Sequence, residues 1–188
     1  MTEPYERRPD EVSFPAVYGR HFDFVWRTLR RLGVLEQDLA DACQEVFIVI
    51  HRRLPSFEGR SRLTTWIFQI CFNLTLDRAR RAHRRHEVLG DAVISRLPTP
   101  APDPLAELEQ RDELARFQAA LDSMELEQRA AFILFEIEDM TGPEVAEALA
   151  VPVGTAYSRL RAARQAFEAA LERTEVDERL LLRRGGVG

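Results

Sequence analysis

The sequence predicts an all-α protein: two helical domains joined by an acidic, proline-containing linker, the second of them holding a helix-turn-helix. Three observations predict it. Apolar residues recur three and four positions apart on both sides of the chain's middle, which is the period of an amphipathic helix. Alternation of apolar and polar residues, the mark of a half-buried strand, occurs nowhere in the 188 residues. Residues 87–112 lose the helical period, turn acidic and collect Pro98, Pro100, Pro102 and Pro104, a spacing that favours extended backbone and blocks helix. The expected boundaries are a first domain over 10–86, a linker over 87–112, a second domain over 113–173 and a tail over 174–188.

The first domain reads as three helices. Residues 12–32 place Phe14, Val17, Tyr18, Phe22, Val25, Trp26, Leu29 and Leu32 on one apolar side, with a bend expected near Gly19 and an end at Gly33. A second helix over 38–54 carries Leu39, Cys43, Val46, Phe47, Ile50 and Leu54 inward and leaves Asp38, Asp41, Gln44, Glu45 and Ile48 outside that stripe; Pro55 stops it. After the polar loop PSFEGRSR, a third helix begins with Leu63, Trp66, Ile67, Ile70, Cys71 and Leu74 and fades into Arg78, Arg80, Arg81, Arg84 and Arg85.

The second domain reads in three pieces. Residues 114–124 form the first and 127–137 the second, with Ala130, Ile133, Leu134 and Ile137 on one face. In the third, residues 140–171, Thr141 caps a short helix whose first turn holds Pro143 and Glu144. Val151 and Pro152 break it, and a new helix starts at Gly154 or Thr155. Two short helices about a tight turn, the second studded with arginine, is a helix-turn-helix pattern. Side chains pointing away from Ala156, Leu160, Ala163 and Phe167 are Thr155, Tyr157, Ser158, Arg159, Arg161 and Arg164, a set suited to phosphates and base edges. An ordinary helical hairpin with a solvated basic face fits the pattern equally well.

Composition narrows the function. No window reaches the roughly 18 consecutive apolar residues of a membrane span, and the N-terminus lacks an apolar signal segment, so the chain reads as cytoplasmic with no integral membrane segment. Cys43 and Cys71 stand in apolar patterns without a CxxC or Cys/His cluster and read as small core residues. All 26 basic residues are arginine, and the net charge of −5 conceals a division: 15 arginines against 11 acids over 1–86, 4 against 10 over 87–130, and 7 against 10 over 131–188. His21, His51, His83 and His86 lie apart from any nucleophile or ligand spacing, and no glycine-rich phosphate loop is present. The chain therefore reads as a non-enzyme without cofactor or metal.

The stretch GRSRLTTWIFQICFNLTLDRARRAHRR, residues 59–85, is too short and too polar for a membrane anchor, with Gln69, Asn73, Thr75 and Asp77 inside it. Arginines at a helix C-terminus offset its dipole by about 0.3–1 kcal/mol each. Five exceed that need, and phosphate contact accounts for the excess. Trp66 has the spacing of the core with Leu63 and Ile70; the other reading is stacking on an exposed base, worth about 1–3 kcal/mol. The acidic face of Asp38, Asp41, Gln44 and Glu45 is either solvated or a protein-docking surface.

The order of these parts is informative as a whole. DACQEVF, SFEGRSRLTTWIFQICFN, the arginine run, the acidic proline linker and VGTAYSRLRAAR together resemble, from about Phe14 to Leu171, the extracytoplasmic-function (ECF) subfamily of bacterial RNA polymerase sigma-70 factors. The resemblance implies an alternative sigma factor that binds core RNA polymerase and promoter DNA, recognises and melts the promoter, and is held by an anti-sigma factor. It implies that 10–86 is a region-2-like domain and 113–173 a region-4-like domain.

Core-polymerase contacts are then expected at Asp38, Asp41, Gln44, Glu45, Phe47 and Ile48. The minus-ten element is expected to meet the loop Phe57, Glu58, Gly59, Arg60, Ser61, Arg62, Leu63 and Thr64, which captures a flipped base of the melted non-template strand. Trp66, Gln69, Asn73, Arg78, Arg80 and Arg81 extend that surface along the helix. The minus-thirty-five element, still double-stranded, is expected to meet Thr155, Tyr157, Ser158, Arg159, Arg161 and Arg164. The linker resembles the family's tether toward the active cleft. Three departures bear on the upstream element: Tyr157 stands where a basic residue is common, Ala162 where arginine is frequent, and Gly142-Pro143 replaces a polar pair. Two other classes remain in view, a stand-alone DNA-binding regulator and a helical adaptor; the QEVF helix beside a basic strand-binding helix counts against the first and the arginines against the second.

Overall fold

A computed structural model describes residues 13–89 and 105–185, with side-chain surroundings for 13–82, 84 and 113–174. Every regular element in those residues is helical. The chain divides into two compact units, 1–78 and 79–188, and the division falls inside a long helix.

In the first unit, α1 (Phe14–Arg31) opens at extended Ser13 with proline in its first turn. It closes in a Schellman arrangement. Gly33 takes φ 93, its N–H reaches the Arg30 carbonyl at 2.9 Å, and the Val34 N–H reaches Leu29 at 3.0 Å. The helix runs unbroken through Gly19. In α2 (Glu36–Arg53), Glu36 and Asp38 sit at the positive end of the dipole and His51, Arg52 and Arg53 at the negative end. Leu39, Ala42, Cys43, Val46, Phe47 and Ile50 are buried, and α1 packs on α2. A 3-10 turn at Leu54–Ser56 accommodates Pro55. The third helix, α3 (Leu63–Leu89), buries Ile67, Phe68, Ile70, Cys71 and Phe72. Phe68 and Phe72 lie outside the expected stripe, whereas Leu63, Trp66 and Leu74 are only half-buried. The buried arc of α3 is therefore broader than one stripe and rotated from it.

In the second unit, α4 (Leu105–Asp122), α5 (Leu126–Phe132) and α6 (Gly142–Ala148) all pack against α7 (Val153–Gly185). Leu121, Met124, Phe132 and Ala163 form a core, with Phe117, Ala166 and Phe167 packed upon it. Buried Arg129 joins α5 to α4 through Asp122 Oδ1 at 2.9 Å and the Met124 carbonyl at 3.2 Å. Thr141 and Glu144 form a capping box at α6, with the Thr141 N–H donating to Glu144 Oε2 at 2.8 Å. Ala150 then takes a left-handed φ of 52, and the Val151 N–H returns to Ala146 at 2.9 Å.

Three expectations change. Helix occupies both ends of the stretch read as linker, since α3 reaches Leu89 and α4 begins at Leu105. Beyond the last proline LAELEQRD holds mostly strong helix formers, so propensity forms helix where periodicity shows none. The four prolines lie outside the described residues. The expected helix over 127–137 is α-helical only to Phe132 and then turns π over Ile133–Ile137. There the Glu138 N–H reaches back to Ile133 at 3.0 Å and the Met140 N–H to Leu134 at 3.0 Å. The tail continues α7 through Gly185, because no glycine or proline interrupts residues 155–184.

Candidate nucleic-acid and polymerase interfaces

The outer face of α2 presents Asp41, Gln44, Glu45 and Ile48 to solvent, while Asp38 is half-buried. Phe47, expected in the same surface, is 4% exposed. Its ring centre lies 4.6 Å from Tyr18 and stacks on Phe22 at 6.2 Å. It anchors an aromatic cluster beneath the face. Gln44, Phe47 and Ile48 line a cleft of about 780 Å³ whose other wall is Phe14, Tyr18, Phe22 and Trp26 of α1. His51 closes one end, its ring 4.8 Å from Phe14. The sequence pattern puts the four α1 aromatics on one apolar side with the core residues, yet Tyr18 is 44% exposed and the other three are half-buried. The signal available was their strict spacing of four, which winds about 40° off the core face at every step.

In the loop before α3, Ser56 Oγ donates to the Arg53 carbonyl at 2.8 Å. The Phe57 ring then lies 5.1 Å from Trp66, tilted by 43°. Both are half-buried, so Trp66 is an anchor for the loop with part of its surface open. Gly59 takes φ 67, a backbone state that side-chain-bearing residues resist. Glu58 and Arg60 pair at 2.5 Å in the open, where such pairs contribute little. Ser61, Leu63 and Thr64 are half-buried and Arg62 is exposed. From Trp66, half-buried Gln69 and exposed Asn73 follow one and two turns along the same side of α3. Arg80, Arg81 and Arg84 are exposed. Arg78 is held differently: its Nη2 pairs with Glu45 Oε1 at 2.9 Å, linking the arginine run to the outer face of α2.

In α7, Ala156, Leu160 and Ala163 face inward as expected. Tyr157, Ser158, Arg161 and Arg164 are exposed; Thr155 and Arg159 are half-buried to one side. Ser158 Oγ donates to the Thr155 carbonyl at 2.9 Å. Arg164 Nε donates to Glu136 Oε1 at 2.9 Å, and the Tyr157 ring lies 5.4 Å from Phe135. Among the described residues no group of three or more histidine, cysteine or acidic side chains could hold a metal ion, and no helix is long and apolar enough to cross a membrane.

The two units match two halves of one family. Residues 17–85 match the family described as Sigma-70 region 2, and residues 114–167 that described as Sigma-70, region 4. Across 169 residues the chain is 30% identical to RNA polymerase sigma factor NccH of Alcaligenes xylosoxydans xylosoxydans, covering 89% of this chain and 91% of NccH.

The chain belongs to the sigma-70 family, in its ECF subfamily. Another member, the ECF RNA polymerase sigma factor SigE of Mycolicibacterium smegmatis, is 33% identical over 168 residues, which span 87% of this chain and 65% of SigE. Among solved structures, the sigma factor RpoE from Bartonella quintana, crystallised with the anti-sigma factor NepR, superposes with a TM-score of 0.70 at 23% identity. That match covers 85% of this chain and 96% of RpoE. CnrH, solved in complex with the cytosolic domain of CnrY, gives a TM-score of 0.61 at 24% identity over 85% of this chain and 88% of CnrH. Both share the all-helical fold. As an alternative sigma factor, the protein is a transcription initiation factor whose partners are RNA polymerase and promoter DNA.

Proposed function

We propose that this sigma factor divides its work among three surfaces. The outer face of α2, with Asp38, Asp41, Gln44, Glu45 and Ile48 over the Phe47 cluster, docks core RNA polymerase. The loop from Phe57 to Thr64, together with Trp66, Gln69 and Asn73, takes the non-template strand of the minus-ten element, while Arg78, Arg80 and Arg81 meet its phosphates. The exposed face of α7 meets the minus-thirty-five element. The observation that carries this reading is the pairing of a region-2 unit and a region-4 unit in one chain, in that order. Domain limits of 10–86 and 113–173 follow, with α4 beginning inside the intervening stretch.

The chain catalyses no reaction itself, acts in the cytoplasm where polymerase and promoters are, and is restrained by an anti-sigma protein. Support for the last point is that RpoE was crystallised with NepR, and that the α1–α2 cleft is apolar and open. The test is run-off transcription with purified full-length chain, core polymerase and genomic fragments. New promoter-specific transcripts are expected; no holoenzyme and no specific initiation would sink the reading.

A further inference from the structure

Tyr157 and Gly142, from the two helices of the helix-turn-helix, touch each other. Gly142 is the buried first residue of α6. A Cβ added to it would meet the Tyr157 hydroxyl, with Cζ at 2.6 Å and Cε2 at 2.8 Å. Any residue larger than glycine therefore displaces the ring. On its other side the tyrosine packs at 5.4 Å against Phe135. Arg164, two turns further along α7, places Nε 2.9 Å from Glu136 Oε1, with Nη2 on the same oxygen. Phe135 and Glu136 are consecutive residues of the π turn.

We propose that Tyr157 and Arg164 are positioning residues, a two-point clasp that seats α7 against the π turn, and that Ser158, Arg161 and Gln165 read the upstream element. This rests on the reading that α7 meets that element. Charge supports the division. A phosphate drawing Arg164 away would leave Glu136 facing the DNA's negative charge, so Arg164 adds little to phosphate neutralisation. Ser158, Arg161 and Gln165 are all exposed, and their spacing of three and four keeps them on one face. Arginine pairs bidentately with guanine and glutamine with adenine, while serine serves either, so the set suits a mixed sequence.

The test measures promoter binding by holoenzyme made with the full chain, using DNA with randomised upstream bases and a salt series. Tyr157→Phe and Arg164→Gln are expected to retain both the selected sequence and the salt slope. Arg161→Gln is expected to alter base preference or to flatten the slope by about one unit. Tyr157→Ala, which removes the ring, and Gly142→Ala, which displaces it, are each expected to lower binding several-fold, and the double variant to lose little more than either alone. A new base preference or a one-unit loss of slope from Tyr157→Phe or Arg164→Gln overturns the clasp, as does a Tyr157→Ala variant that binds as tightly as wild type. Should wild-type holoenzyme show no upstream preference at all, the reading of α7 fails and the proposal with it. Should it show one that Ser158→Ala, Arg161→Gln and Gln165→Ala all leave intact, only the assignment of readers fails.

Discussion

Asp122→Ala is expected to damage the second unit more than Arg129→Met, although both remove the same ion pair. Arg129 is enclosed, its side chain 7% exposed, and Asp122 is 23% exposed. Without the carboxylate the guanidinium keeps its desolvation and the hydrogen bond to the Met124 carbonyl. Stranding a fully buried charge costs about 3–5 kcal/mol. Water reaches the Asp122 side of the pair, which lowers the expected loss to about 2–3 kcal/mol. In Arg129→Met the buried charge itself disappears, an unbranched apolar side chain fills part of the space, and Asp122 rehydrates beside Gln118, so the loss is about 1 kcal/mol. Hydrogen exchange of α4 and α5 amides in a urea series reads the second unit separately from the first. The reasoning is refuted if Arg129→Met proves as damaging as Asp122→Ala, or more so.

Ala150 holds a left-handed φ of 52 after α6, so Ala150→Gly is expected to stabilise the helix-turn-helix by about 1 kcal/mol, measured by the same exchange. Burial pushes the Cys43 thiol up to about 11 from 9.0 and Cys71 higher still. Neither is expected to take up iodoacetamide at about pH 8 until urea opens the unit, as mass spectrometry will show. Because the folded thiol of Cys43 holds its proton more tightly than the unfolded one, its contribution is intact below pH 9.0 and declines as pH rises toward about 11. An alkaline series of urea midpoints, in which that decline is weaker for Cys43→Ala, checks the sign. Asn73→Ala is expected to impair promoter opening, read by permanganate reactivity, with core binding unchanged; Gln44→Ala is expected to weaken core binding first, and the reverse pattern would mean exchanged surfaces.

What could be read from the sequence followed from burial with a regular period. Leu39, Cys43, Val46 and Ile50 recur at helical spacing and are buried as that spacing demands. Phe14, Tyr18, Phe22 and Trp26 share an apolar pattern with the core residues, and only the packing of α2 decides which of them close and which form a cleft wall. ILFEI offers apolar residues on nearly every side, so nothing in its pattern separates an α turn from a π turn. Arg78 and Arg164 looked equivalent to the other arginines, because their carboxylates lie 33 and 28 positions away in the chain. The helix-turn-helix was visible through its cap, its break and its arginines. Which of its side chains the scaffold itself engages was not.

On the surfaces proposed above, the ion pair between Glu45 and Arg78 would tie two binding events into one equilibrium. Glu45 belongs to the face proposed for polymerase and Arg78 to the run proposed for strand phosphates, and at 2.9 Å each occupies the other. A polymerase group that engages Glu45 releases a guanidinium for DNA, and by reciprocity a phosphate that takes Arg78 frees a carboxylate for polymerase. With side chains 29% and 48% exposed, the pair is worth at most about 1 kcal/mol. The resulting cooperativity is at most about fivefold, enough to bias the unassembled factor away from DNA without locking it.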